Sequence, residues 1–167
     1  MLGVFDSGFG GLTVLKPIHN LLPAISTIYL GDNARAPYGA RTHEEIFQFT
    51  LESVRFLFEQ DCPLVILACN TASAQALRQI QQEILPNEYP DRRVLGVIRP
   101  TVEEVIGKTR TGHIGVFATP ATVRSNAYIH ELNTLAAAQG RTIHVHQVAC
   151  PGLTDLVEQN QHDSPEA

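Results

Sequence analysis

Charge is scarce in this sequence. Only 17% of its 167 residues are Asp, Glu, Lys or Arg, the formal net charge is −5, and Arg92–Arg93 is the one adjacent basic pair. That excludes the basic surface that nucleic acid or an anionic lipid face requires. No apolar run approaches the roughly 20 residues of a bilayer-crossing helix. Met1 runs straight into a strand-like segment, so the expectation is a chain without a signal peptide, acting in the cytoplasm. The three cysteines, Cys62, Cys69 and Cys150, are odd in number and lack CxxC spacing, which argues against a disulfide framework and against zinc. Low-complexity segments are missing too. So are a Walker A loop and a GxSxG elbow, and the GxGxxG spacing started by Gly8 and Gly10 would put its third glycine at Thr13.

What is present is apolar and rhythmic. Hydrophobic residues make up 44% of the chain, enough to build a core. Short β-branched runs alternate with longer helical patterns, which predicts an α/β fold with a mostly parallel sheet flanked by helices. The strand candidates are Leu2–Asp6, Thr27–Asp32, Leu64–Cys69, Val94–Ile98, His113–Thr119 and Thr142–Cys150. Most are near-continuous apolar runs, as when helices cover both faces. Thr42 and Glu45 have capping-box spacing. Behind them Ile46, Phe47, Leu51, Val54, Leu57 and Phe58 share one side of a helical wheel. A second helix is predicted over Ala72–Leu85, ended by Pro86, a third after Pro120 and a fourth from Pro151.

The polar loop Tyr89–Arg93 divides the chain into two expected units, 1–92 and 93–167. LGVFDSGFGGLTV and IGVFATPATVRSN share Gly-Val-Phe followed by a hydroxyl-bearing turn, a weak internal repeat that pairs Gly3 with Gly115. The units therefore read as two similar α/β halves, the second incomplete.

Open α/β sheets bind ligands beyond the carboxyl ends of their strands, and the strands here end in Asp6 with Ser7, Asp32, Cys69 with Asn70 and Thr71, and Thr119. Cys69 is placed at a strand end, with Asn70 or Thr71 as the cap of the next helix. A helix N-terminus there would lower the thiol pKa and favour a carboxylate. From these residues alone, a reactive thiol and a buried structural cysteine both fit. Asp6 in DSGFGG either caps backbone N–H groups or bears charge in an anion-binding crevice. Pro37, Tyr38 and Gly39 form a turn able to present backbone groups and a phenol there. His144 and His146 share a strand face but have no third ligand, so they read as surface residues rather than a metal site. Cys62 and Cys150, each next to a proline, read as structural.

Six stretches, GVFDSGFGGLTVL, GDNARAPYGART, LVILACNTASAQAL, LGVIRPTVEEV, IGVFATPATVRS and VACPGLTDLVE, make the chain resemble the glutamate racemases of the cofactor-independent aspartate/glutamate racemase superfamily. Aspartate racemases share the CNTA element but look less similar around DSGFGG and APYG. The resemblance implies an enzyme without a cofactor, with glutamate as substrate and neither nucleic acid nor membrane as partner. Two cysteines would face each other across a crevice and exchange an α-proton. The first of them maps onto Cys69, with Asp6 assisting. Ser7, Tyr38, Gly39, Asn70 and Thr71 match substrate-binding positions, as do Thr119 and Thr122 from the second unit. The second cysteine's Cys-Thr-His element does not occur in the 167 residues, and Cys150 sits in a different context. An incomplete second unit would leave apolar surface uncovered, so a homo-oligomer is expected. A non-catalytic module for small anions is the alternative from another class.

Overall fold

The computed structural model describes residues 1–158. The remainder of the expected second unit, residues 159–167, lies outside them. Four strands, β1 (Leu2–Asp6), β2 (Thr27–Gly31), β3 (Leu64–Leu67) and β4 (Arg93–Gly96), form a wholly parallel sheet in the order β2-β1-β3-β4. Two more, β5 (His113–Ala118) and β6 (His144–Ala149), pair in parallel as a second sheet. The architecture is the mostly parallel α/β arrangement that the alternating pattern predicts.

The central strand β1 is buried at all five positions, because strands flank both its edges and helices cover both its faces. On one face Phe5 joins Val65 and Leu67 in a core with Ile46, Val54 and Leu57 of α2 (His43–Glu59). On the other, Leu2 and Val4 lie under Val14, Leu15 and Ile18 of α1 (Leu12–Leu21). Each such side chain taken from water contributes roughly 1.5–3 kcal/mol, which is why a continuous apolar run, rather than an alternating one, encodes this strand. Helix α2 starts as expected. Glu45 N–H donates to Thr42 Oγ1 at 3.2 Å, and Thr42 N–H donates to Glu45 Oε2 at 3.0 Å.

Several expected element bounds shift. The predicted strand Val94–Ile98 is Arg93–Gly96, and it hydrogen-bonds to β3 from Leu64↔Arg93 to Leu67↔Gly96. Residues 93–96 thus complete the first sheet, and the change of sheet follows Gly96, through α6 (Ile98–Lys108). The helix expected over Ala72–Leu85 begins at Asn70 and runs past Pro86. It is built from α3 (Asn70–Gln75), α4 (Leu77–Gln79), a π-helical turn at Ile80–Ile84 and α5 (Leu85–Glu88). Pro86 falls in the first turn of α5, where the missing N–H is no loss. The helix after Pro120 is split into α7 (Pro120–Ser125) and α8 (Ala127–Ala138) by Asn126, which adopts a left-handed φ of 55°.

The second sheet is covered on one face only among the described residues. Ile114, Val116 and Val145 pack on α6 and α8 through Val102, Ile106 and Leu132. On the opposite face Phe117 is 74% exposed and Val148 50%, so the expectation of helices on both faces holds for the first sheet alone. The last described helix, α9 (Leu153–Glu158), starts two residues after Pro151. No described helix is long and apolar enough to cross a membrane.

The reciprocal cap on α2 generates a stability prediction. Thr42→Ala leaves the Glu45 N–H without its partner and should cost about 1 kcal/mol, read as a lower urea midpoint with an unchanged m-value.

Candidate active site

The β1–β3 register extends past the last ladder pair. Ala68 N–H donates to Phe5 O at 2.8 Å, and the next residues along bring Ser7 opposite Cys69, with Oγ and Sγ 3.3 Å apart. Because β3 ends at Leu67, two residues short of the expected Cys69, the following helix starts early. Cys69 is itself the extended N-cap, and its sulfur accepts from Ala72 N–H at 3.4 Å. Neither Asn70 nor Thr71 is the cap, in contrast to the sequence expectation. Beside them Asp6 is buried and its Oδ2 accepts from Gly8 N–H at 2.9 Å. Gly11 closes this turn against the strand: a Cβ there would stand 2.6 Å from Asp6 Cβ and 3.0 Å from Ala68 Cβ, so only glycine permits the approach.

Electrostatics at the thiol oppose the expectation of a lowered pKa. Burial pushes the Cys69 thiol up, and the Asp6 carboxylate adds to that. Hydrogen bonds from Ser7 and Ala72 only partly offset the two. A thiolate loses more by leaving water, and by facing a carboxylate, than the short helix α3 returns. Cys69 therefore rests as a thiol whose conjugate base is strong.

Tyr38 and Gly39 form a one-turn 3₁₀ element, Tyr38–Ala40, after a cis Ala36–Pro37 peptide. The Tyr38 ring is fully buried near Phe5 and Phe49, and its hydroxyl donates to Asp32 Oδ2 at 2.6 Å. Burial first, and then that hydrogen bond, raise the phenol pKa. Arg35 also donates to Asp32 Oδ2, at 2.6 Å, reaches Glu52, and lies over the Phe49 ring. The phenol is thus committed to an Asp32–Arg35 anchor. Gly39 approaches the second unit, where a Cβ would sit 2.8 Å from Thr119 Cβ.

Three hydroxyls join the two sheets. Thr71 Oγ1 lies 2.9 Å from Thr119 Oγ1 and 3.4 Å from Thr122 Oγ1, and the latter two are 3.0 Å apart. Thr119 also caps α7 through Thr122 N–H. Asn70, exposed, accepts a 2.6 Å hydrogen bond from Tyr128 Oη of α8. Nothing local announces Tyr128, which reaches Asn70 from a separate element, whereas Arg35 and Tyr38 stand three and six residues from Asp32 in one loop. A cavity of about 420 Å³ opens beside this joint, touching Asn70, Thr119, Thr122, Tyr128 and Cys150 but not Cys69. Cys62 is buried, and His144 and His146 are exposed, with His144 stacked on His113. No group of described residues could hold a metal ion.

A parallel α/β scaffold with a thiol, a carboxylate and paired hydroxyls at its strand ends defines a class of protein that handles small molecules beyond the carboxyl edge of a sheet. Comparison narrows the class. No protein-family model matches the chain. Over 167 residues it is 44% identical to the glutamate racemase of Roseobacter denitrificans, covering 94% of this chain and 60% of that relative. Its fold is similar to a glutamate racemase isoform of Bacillus anthracis, with a TM-score of 0.87 at 40% identity over 98% of this chain and 58% of the other. It is also similar to the glutamate racemase of Francisella tularensis solved with D-glutamate, with a TM-score of 0.82 at 37% identity over 95% and 56%. The chain is homologous to glutamate racemases along most of its length, and it spans about 60% of the relatives it matches.

The thiol electrostatics predict a pH shift. Asp6→Asn removes a like charge and can keep the Gly8 hydrogen bond, so alkylation of Cys69 by iodoacetamide, followed by peptide mass spectrometry, should begin at lower pH than in the wild type. An unchanged profile would show that Asp6 does not act on the thiol. The linkage has a definite sign. The folded thiol holds its proton more tightly than the unfolded one, so its contribution to stability is whole below the ordinary thiol pKa and is lost as pH rises through the folded value.

Proposed function

We propose that this chain supplies one half of a glutamate racemase site, in which Cys69 exchanges the α-proton of glutamate with no cofactor. The observation carrying this reading is the Cys69 sulfur, held between Ser7 Oγ at 3.3 Å and Ala72 N–H at 3.4 Å beside a buried Asp6, in a chain homologous to glutamate racemases.

An amino-acid α-proton is far less acidic than an ordinary thiol, so the base that removes it must be strong, desolvated and held close. Burial and Asp6 make the Cys69 thiolate such a base. They also keep the thiol protonated at rest, ready to deliver a proton in the reverse direction. The forward step starts from the ionised form of Cys69, its own proton having left to water: the Cα–H bond breaks, the proton passes to Cys69 Sγ, and the electron pair moves onto the α-carbon and carboxylate. A second thiol on the opposite face then protonates the α-carbon. No Cys-Thr-His element lies within the 167 residues, so in this reading that thiol comes from outside them. Ser7, Asn70 and Thr71, with Gly39 and the Thr119–Thr122 pair, hold the substrate. Tyr38 shapes the crevice wall while its hydroxyl stays on Asp32. The biological product is D-glutamate for peptidoglycan, made in the bacterial cytosol.

The test is α-proton exchange. Incubated in deuterated water with L-glutamate, D-glutamate or either enantiomer of aspartate, the full chain should lose the α-proton NMR signal of glutamate in preference to aspartate. Cys69→Ser should slow the loss by about 10²–10⁴-fold, the range for a positioned general base. If glutamate binds equally well to both proteins and neither exchanges its proton, the crevice is a binding module for small anions. Faster exchange of aspartate would assign the other amino acid.

A further inference from the structure

Like the Thr71 hydroxyl, the Asn70 carboxamide beside Cys69 has its orientation set from the opposite unit. Its Oδ1 takes the hydroxyl proton of Tyr128 at 2.6 Å, across a sequence separation of 58 residues. No described protein group accepts a hydrogen bond from its Nδ2, and none of the buried polar atoms left without a partner belongs to it. Tyr128 is well placed as a donor. Its ring packs with Ile114, Val102 and Leu132 on the covered face of β5, and burial raises its phenol pKa, with Thr101 partly offsetting this. The hydroxyl therefore stays protonated across the physiological range. Both side chains open onto the cavity shared with Thr119 and Thr122.

An amide oriented this way has one chemical consequence. With the oxygen occupied, what Asn70 offers to a ligand is its N–H₂ group, a donor suited to a carboxylate. Without Tyr128 the carboxamide could rotate and present its oxygen, which repels an anion. We propose that Tyr128 is a positioning residue that fixes the Asn70 carboxamide with Nδ2 as the donor for the carboxylate of the bound amino acid. The assignment rests on the glutamate reading for the identity of that ligand, and on geometry alone for the Tyr128–Asn70 contact.

Two measurements on the full chain test it separately. In the ligand-free protein the Asn70 side-chain amide pair, assigned by its loss in Asn70→Ala, should shift in Tyr128→Phe. An unmoved pair would overturn the contact. In titrations with D-glutamate, Tyr128→Phe should weaken binding about 3- to 10-fold, the worth of one neutral hydrogen bond. The same change made in Asn70→Ala should have almost no effect, because the two residues act as one unit. An equal loss in both backgrounds would show a general structural role and overturn the proposal. If the wild type takes up neither enantiomer of glutamate, it is the racemase reading that falls, and the ligand-free amide spectrum still decides whether Tyr128 fixes Asn70.

Discussion

The parallel register between β1 and β3 is the constraint on which the rest depends. It is set deep in the core, where Val4 faces Ile66 and Phe5 faces Leu67 in the ladder. It is still obeyed after the ladder ends, where Ser7 meets Cys69 with the same sequence offset. A slip of one residue would turn every side chain of β3 to the other face. Val65 and Leu67 would leave the α2 core, a loss of several kcal/mol by burial alone. Core packing therefore positions the chemistry: the thiol stands beside Asp6 and Ser7 because the apolar pairs below it admit no other alignment.

The second unit meets this frame through hydroxyls as well as hydrocarbon, since Ala121 is buried in the first core and Ala74 packs against the second. Thr71, Thr119 and Thr122 are mutually within hydrogen-bond reach, and Gln75 reaches the Ala121 carbonyl, which adds a polar tie at the same joint. Each neutral bond of this kind is worth only about 1 kcal/mol net, far less than the apolar cores on either side. The seam therefore gathers hydroxyl and amide groups that can satisfy a polar ligand. The tight contact of Gly39 on Thr119 extends the seam to the Tyr38 loop, so loop, strand end and second unit converge on a single place.

How much of this the sequence disclosed varies with the range of the interaction. The capping box at Thr42 is a local pattern and was legible residue by residue. The fully buried strands were legible because continuous apolar runs leave few alternatives. Strand ends were less so. Whether β3 stops at Leu67 or Cys69 is decided by its neighbours, and that two-residue difference moved the helix cap from Asn70 or Thr71 onto the sulfur. The thiol pKa went the other way from the expectation because the helix-terminus argument is local, whereas burial and the Asp6 charge come from the assembled fold. Tyr128 could not be read at all, since nothing in one strand or helix announces a partner in another.

The Gly-Val-Phe repeat shows how far one local motif can diverge. In β1, Phe5 is wholly buried, while its counterpart in β5, Phe117, is 74% exposed. The motif is the same and so is the parallel pairing to the next strand in sequence. What differs is the layer above. Phe5 has α2 across its face and β3 along its other edge, whereas the described residues put neither a helix over Phe117 nor a second strand beside β5. The tripeptide therefore encodes a strand and the turn that follows it, and burial is conferred by what packs against them. For that reason both copies end in a hydroxyl-bearing turn aimed at one seam, Ser7 at the thiol and Thr119 at Thr71, even though only the first copy lies within a closed core.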